Sequence, residues 1–140
     1  MVREDIVRQR LDVLQNALAD LRRYRERFSR EQFLSDHDAQ HMVLHALYIA
    51  AQASIDLALH AVADAAGTTP ATYQDAFPEA ARLGLIDAAL APKLSGWAGL
   101  RNVLAHHYPV VDYGKVHDAL RGDLVDLESF AAAAARWLDR

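Results

Sequence analysis

Apolar residues recur at helical spacing along almost the whole chain, and this pattern predicts an all-α protein. Strand-type alternation is absent, Ala and Leu are abundant, and the few Gly and Pro residues fall near the ends of the apolar segments. A connector covers 68–78, and we expect Tyr73 and Phe77 to pack it against the core. An antiparallel bundle is the simplest packing for these elements. The pattern predicts a short helix near 78–84 and four main helices, over 2–29, 36–66, 87–107 and 113–138.

Capping residues and helix breakers indicate where the predicted helices begin and end. Ser35 is a suitable N-cap for the central helix, and Gly67 ends it, since glycine adopts the left-handed conformation that closes many helices. Pro109 disfavours helical geometry at the residue before it, so the third main helix is expected to end there. Asp112 is then placed to cap the last helix.

Length and composition indicate a single domain over residues 1–140. The chain is long enough to bury a core of its own, and it contains no cysteine, which excludes disulfides, thiol nucleophiles and thiolate metal sites. The N-terminal residues lack the apolar stretch of a signal peptide, and no apolar run reaches the ~20 residues that span a bilayer. We therefore expect a soluble cytoplasmic protein with no membrane association.

The net charge of −4 argues against a protein that coats nucleic acid without specificity, but the charge is unevenly distributed. Residues 1–30 carry eight Arg against five acidic residues, whereas the rest of the chain is acidic. The basic cluster over 22–27 has two interpretations. It guides a phosphate backbone toward a site, or it is a solvated helix end whose cations the helix dipole favours.

The stretch 101–108 contains the side chains best suited to chemistry, which are Arg101, Asn102, His106 and Tyr108. Arginine binds phosphate oxygens through its planar fork, and histidine transfers protons near neutral pH. Together they suggest chemistry on a phosphodiester. Three histidines at i, i+4 and i+8 of the central helix would offer metal ligands, but no acidic ligand is placed to complete the set, so we predict neither a metal nor a cofactor.

A helical projection at about 100° per residue separates these side chains. His107 falls within an arc of apolar residues that includes Leu94 and Trp97, so a packing role is expected for it. His106 lies on the polar side, one turn after Asn102, and is the better candidate for proton transfer. Arg101 and His106 point about 140° apart and do not converge on one phosphate. Two copies meeting at a two-fold axis would combine both residues in one site, which predicts a homodimer.

A polar stripe follows the central helix and has two interpretations. Its members project within about 100° of arc, and they are His41, His45, Gln52, Asp56 and His60. In the first interpretation the stripe is the solvent-exposed face of the helix. In the second, Asp56 together with Gln52 or His45 faces the helix that carries Arg101 and orients a basic group there.

The spacing Arg101, four residues, His106, one residue, Tyr108 resembles the Arg-x4-His-x-Tyr signature of HepT-like toxins, which belong to the HEPN superfamily of helical proteins. Asn102 directly after the arginine supports the resemblance. So do the run Ile55-Asp56-Leu57 in the central helix and the connector segment Tyr73-Gln74-Asp75-Ala76-Phe77. The similarity extends over nearly the whole chain.

This resemblance implies a HEPN-like bundle of about four helices that forms a homodimer. It also implies a metal-independent endoribonuclease, the toxin of a type VII-like toxin–antitoxin pair, with RNA as substrate. The expected partner is an MntA-like minimal nucleotidyltransferase antitoxin, which transfers AMP to the motif tyrosine. Carried over, Arg101 and His106 are the catalytic pair, Asn102 supports them, and Tyr108 is the AMPylation site. Asp56 matches an acidic position of the family, and His107 occupies a variable one.

The residues are suited to this chemistry without reference to the family. Cleavage of RNA without a metal needs a base, an acid and a cation, and two His106 side chains of a dimer would divide the first two roles. Two other interpretations stay open. One is a non-catalytic HEPN module that docks a nucleotidyltransferase or a nucleotide. The other is a helical dimerisation protein whose motif forms an interface ion-pair network.

Overall fold

The computed structural model describes residues 2–106 and 111–138, and these ranges contain helices and no strand. The all-α fold predicted from the sequence is confirmed. A 3-10 turn lies at Tyr73–Asp75, between the third and fourth α-helices. The α-helices described are α1 Val2–Arg27, α2 Arg30–Ser35, α3 His37–Ala66, α4 Ala76–Arg82, α5 Ala91–His106, α6 Tyr113–Gly122 and α7 Leu124–Leu138.

The first predicted helix ends at Arg27, and a capping box that was not predicted from the sequence follows it. Ser29 accepts a hydrogen bond from the backbone N–H of Gln32, and the Gln32 side chain accepts one from the backbone N–H of Ser29. This box begins the short helix α2. The prediction of Ser35 as the N-cap of the central helix is wrong, because Asp36 accepts the hydrogen bond from Ala39 N–H. Ser35 ends α2 instead, and its hydroxyl bonds back to Glu31 and Gln32 carbonyls.

The predicted last helix is two helices. Asp112 caps the first of them by accepting from Lys115 N–H, as predicted. Residue Asp123 separates α6 from α7, although the apolar spacing continues across it. Helix α5 begins at Ala91 rather than at 87, since 87–90 form a turn.

The connector contributes one of its two predicted anchors. Phe77 is fully buried and meets Phe130 of α7 edge-on, with ring centroids 5.7 Å apart. Tyr73 is 49% exposed, so its predicted packing against the core is wrong. Gly67 ends α3 with a φ of 76°, in the left-handed region that glycine tolerates best.

Helix α3 is the centre of the bundle, packed chiefly against α1 on one side and against α5 on another. One apolar cluster includes residues of each of the α-helices described, among them the fully buried Leu14, Leu47 and Leu120. Helix α3 is long and apolar enough to cross a membrane, but 61% of its most apolar window is buried inside the bundle. Such burial is typical of a core helix.

Candidate functional site

The apolar residues of helix α5 are more deeply buried in its first half than in its second half. Its first half is anchored in the core through Leu94 and Trp97, and the Trp97 indole N–H lies 3.4 Å from a carboxylate oxygen of Asp126 on α7. In its second half the apolar positions Leu100 and Leu104 are only half-buried. The predicted core face is therefore confirmed for the first half, whereas the second half, which carries the motif, borders open cavities.

Neutral groups hold the guanidinium of Arg101. Its Nε donates to Gln52 Oε1 at 2.6 Å, and its Nη1 donates to Asn102 Oδ1 at 3.1 Å. The guanidinium carbon lies 5.6 Å from the ring centre of Tyr48 and 5.8 Å from that of Tyr73, distances at which aromatic faces attract a cation. None of these partners carries a charge, so none of them neutralises the arginine.

The Gln52 amide connects Arg101 to a carboxylate without bringing the two charges together. Its nitrogen donates to Asp56 Oδ1 at 3.0 Å, which turns its oxygen toward Arg101. Asp56 Oδ2 lies 3.7 Å from Nε of Arg10 on α1. Gln52 thus faces the motif helix, as in the second interpretation of the polar stripe, and Asp56 is connected to that helix only through Gln52. Asp56 orients the amide, and the amide orients the arginine.

His106 lies apart from this network. It is exposed at the last described residue of α5, and no hydrogen bond or ion pair joins it to Arg101 in the part of the chain that the structure describes. This absence of contact agrees with the divergence expected from the helical projection, which stays a prediction. Asn102, one turn before His106, accepts from Arg101, so its oxygen is engaged by the arginine. The positions of His107 and Tyr108 lie outside the described residues.

The histidines of α3 do not assemble a metal site. Within residues 2–106 and 111–138, no group of three or more His, Asp or Glu side chains is placed to hold an ion. His41 and His45 are exposed and line a small cavity beside Tyr48.

A second cluster of arginine, histidine and aspartate lies where α2 meets α6. Arg30 pairs with the carboxylate of Asp118 and lies 3.4 Å from the Gly114 carbonyl. His117 is buried, and its ring centroid is 5.8 Å from that of Phe33. Burial lowers the pKa of His117, and the nearby Arg30 lowers it further. The charge on Arg30 is balanced by its partner, whereas within residues 2–106 and 111–138 no carboxylate pairs with Arg101.

The family is established by comparison with known proteins. The model of ribonuclease HepT-like proteins matches residues 14–134, most of the chain. The chain belongs to the HepT-like family. A curated relative is the tRNA nuclease HepT of Aphanizomenon flos-aquae, which is 28% identical over 115 residues, or 82% of this chain and 78% of the relative.

Solved structures share the HepT-like fold. The tri-AMPylated HEPN toxin of Shewanella oneidensis in complex with MNT antitoxin is 24% identical, with a TM-score of 0.85 over 94% of this chain and 98% of that one. A mutant MntA–HpeT toxin–antitoxin complex is 26% identical, with a TM-score of 0.72 over 89% of this chain and 98% of that one.

Two residues that surround Arg101 in this HepT-like protein were not identified from the sequence. They are Tyr48 and Tyr73, whose rings flank the guanidinium, whereas Gln52, which makes its shortest hydrogen bond, was one of the alternatives predicted from the polar stripe. One signal was available, because Tyr48 lies one turn before Gln52 on the polar stripe of α3. Nothing in the periodicity distinguishes Tyr73 from an ordinary connector residue.

Proposed function

We propose that the protein is a metal-independent endoribonuclease, the toxin of a type VII-like toxin–antitoxin pair. The observation that carries the proposal is the guanidinium of Arg101, held in place by two amides and two aromatic rings, none of which is charged. A fixed cation that pairs with no carboxylate among the described residues is suited to stabilising the charge that develops on a phosphorane. Membership of the ribonuclease HepT-like family supports the same chemistry.

The reaction divides between Arg101 and His106. A neutral imidazole removes the proton of the RNA 2′-hydroxyl, and the 2′-oxygen attacks the adjacent phosphorus. The bond from phosphorus to the 5′-oxygen breaks, and that oxygen takes a proton from an imidazolium. The products are a 2′,3′-cyclic phosphate and a 5′-hydroxyl. Arg101 contacts the non-bridging oxygens throughout, and Asn102 and Asp56 keep it in position, Asp56 acting through Gln52.

A homodimer completes the site. Within one chain Arg101 is half-buried against α3 while His106 is exposed at the end of α5, and no described contact joins them. In the proposed dimer, Arg101 of one protomer and His106 of the other face the same phosphate. The two His106 side chains share the acid and base roles.

AMPylation of Tyr108 by an MntA-like nucleotidyltransferase is the proposed off-switch. The phenol oxygen attacks the α-phosphorus of ATP, which forms a tyrosyl–AMP bond and releases pyrophosphate. The added phosphate is anionic and repels RNA from the cleft. The similarity to a tri-AMPylated toxin bound to MNT antitoxin supports this proposal. Co-expression with such an enzyme is expected to add the mass of AMP to the wild type and none to Tyr108→Phe.

The direct test is cleavage of RNA in the presence of EDTA. Because a similar protein is a tRNA nuclease, bulk tRNA is the first substrate to use. We expect fragments that end in 2′,3′-cyclic phosphate, and we expect His106→Ala to abolish them. His37→Ala is the matched control, since His37 is an exposed histidine at the start of α3. Equal cleavage by His106→Ala would contradict the proposal, and partner binding without any cleavage would favour a non-catalytic HEPN module.

A further inference from the structure

A cavity of about 230 Å³ lies between α3 and α5, and one of its lining residues, Tyr48, is also in contact with Arg101. Its lining comes from two turns of α3 and one residue of α5, namely His41, Leu44, His45, Tyr48 and Leu104. Of these five residues, the proposed cleavage chemistry uses only Tyr48, as one of the rings that hold Arg101. The space that they enclose has no assigned role.

The lining combines apolar walls with groups that form hydrogen bonds. Leu44 is buried, and Leu104 and Tyr48 are half-buried. Together they form an apolar wall of the cavity. The imidazoles of His41 and His45 lie at its exposed edge, one turn apart on α3. A flat ligand with polar atoms on its rim fits this combination, because its faces contact the apolar wall while its edge meets the imidazoles.

The cavity adjoins the place where a phosphate would bind. The ring of Tyr48 both lines the cavity and lies 5.6 Å from the guanidinium carbon of Arg101. Leu104 lies one turn after Arg101 and two residues before His106 on the same helix. A ligand in the cavity is thus separated from the cation by one aromatic ring, a spacing that suits a base and the phosphate of one nucleotide.

We infer that this cavity binds the nucleobase next to the scissile phosphate and gives the enzyme a base preference. The inference rests on the proposed function, since it takes RNA as the substrate. Proteins recognise single-stranded RNA by stacking unpaired bases on Tyr and His rings and by hydrogen bonds to the base edges. A second phosphate is a poorer occupant, because Leu44, Tyr48 and Leu104 offer it no charge.

The first experiment compares short RNAs that differ only in the base on either side of the cleaved bond. We expect the wild type to show a base preference in kcat/KM. We expect Tyr48→Leu to lower kcat/KM for the preferred base by about 5- to 150-fold, the range for loss of one stacked base, and to bring the values for the four bases closer together. Tyr48→Phe keeps the ring and should retain the preference. His45→Ala should weaken it at least about threefold, since one hydrogen bond is lost. The ratio between bases is the readout, because Tyr48 also contacts Arg101.

The second experiment measures binding in the absence of cleavage. The full-length His106→Ala protein is titrated with the four ribonucleoside monophosphates, and the imidazole signals of His41 and His45 are followed by NMR. We expect Kd values that differ between bases, and we expect this difference to disappear in His106→Ala/Tyr48→Leu but to persist when His37→Ala is the added change.

The two experiments separate failure of this inference from failure of the proposed function. Cleavage whose base preference is the same in wild type, Tyr48→Leu and His45→Ala would overturn the nucleobase site while leaving the ribonuclease intact. If the wild type cleaves no RNA, base-dependent binding that requires Tyr48 would still support the site. Equal or undetectable binding of all four nucleotides would overturn it.

Discussion

Arg101 and Arg30 both lie close to helices that carry histidines, but Arg30 pairs with a carboxylate whereas Arg101 is bound by neutral groups. Arg30 pairs with Asp118, and it lies in a cluster where buried His117 packs on Phe33. Arg101 has a carboxylate near it too, yet the amide of Gln52 stands between them. The first arrangement ties α2 to α6, whereas the second leaves a cation available at the surface.

The comparison shows why a motif alone does not define an anion site. A guanidinium paired with a carboxylate has little net charge to offer a phosphate, whatever residues follow it in sequence. A guanidinium held by amide oxygens and aromatic faces is equally well positioned and keeps its charge. The partners of an arginine, more than its neighbours in sequence, therefore indicate whether it serves binding or packing.

The largest expected effect is on the rate of RNA cleavage, and it should follow the removal of Arg101 but not that of Arg30. Arg101→Ala should lower the rate of RNA cleavage by on the order of 10²–10³-fold, as loss of one electrostatic stabiliser of the transition state does in other enzymes. Arg30→Ala should cleave at the wild-type rate. Initial rates on the same tRNA at saturating substrate decide the comparison. Similar losses in the two variants would mean that the charge state of the arginine does not distinguish the regions.

The partner of Arg101 gives the next prediction. Gln52→Ala should lower cleavage by about tenfold, because Arg101 loses its shortest hydrogen bond but keeps its charge. Gln52→Glu restores an acceptor but adds a negative charge beside the guanidinium, so it should lower cleavage further, by on the order of 100-fold. Steady-state rates of the two variants test this order. Greater activity of Gln52→Glu than of Gln52→Ala would contradict it.

The buried histidine of the second cluster predicts a pH dependence of stability. Burial and the neighbouring arginines lower the pKa of His117 in the folded protein, whereas the unfolded chain protonates it near its ordinary value of about 6.5. Acid therefore favours the unfolded chain, and this contribution to stability is lost as the pH falls below about 6.5 through the folded pKa. His117→Phe should show a smaller drop in urea midpoint between pH 7.5 and 5 than the wild type.

The control for this prediction is the exposed His37, whose replacement by Ala should leave the pH dependence unchanged. An identical pH dependence in His117→Phe and in the wild type would rule out a contribution from the buried imidazole.

The smallest expected effect is the stability change in Arg30→Ala. Both partners of its ion pair are largely exposed, with 49% and 67% of the side-chain surfaces of Arg30 and Asp118 accessible. Exposed pairs contribute about 0–1 kcal/mol, so the free energy of unfolding should fall by less than about 1 kcal/mol. Urea denaturation at pH 7.5 measures it. A loss of several kcal/mol would show that this cluster holds the bundle together.

Helix periodicity was enough to predict the all-α fold, because the apolar positions recur at one spacing throughout. It was not enough to predict the helix breaks. The spacing of Leu120, Leu124 and Leu127 continues through the break at Asp123, so a pattern of apolar positions cannot reveal it. The capping residue Asp36 was equally hidden, since Ser35 beside it is an N-cap residue type as well.

For the site, the helical projection predicts that Arg101 and His106 diverge, and it leaves open whether Gln52 meets Arg101. The projection of α5 placed Arg101 and His106 on different faces because it depends only on helix geometry. The approach of Gln52 to Arg101 depends on how α3 packs against α5, and one helix projection contains no information on that packing. The sequence pattern of the polar stripe is therefore compatible with both interpretations, one in which it faces solvent and one in which it faces the motif helix.

The most direct test of a site shared between two protomers uses two inactive variants, Arg101→Ala and His106→Ala. They are refolded together so that mixed dimers form. In a mixed dimer the only complete pair is Arg101 of one protomer with His106 of the other. We predict that cleavage rises above the sum of the two separate variants but stays below the wild-type rate, because a mixed dimer keeps only one of the two His106 side chains and water must replace the other. No recovery, in mixtures shown to contain mixed dimers, would contradict a site shared between two chains.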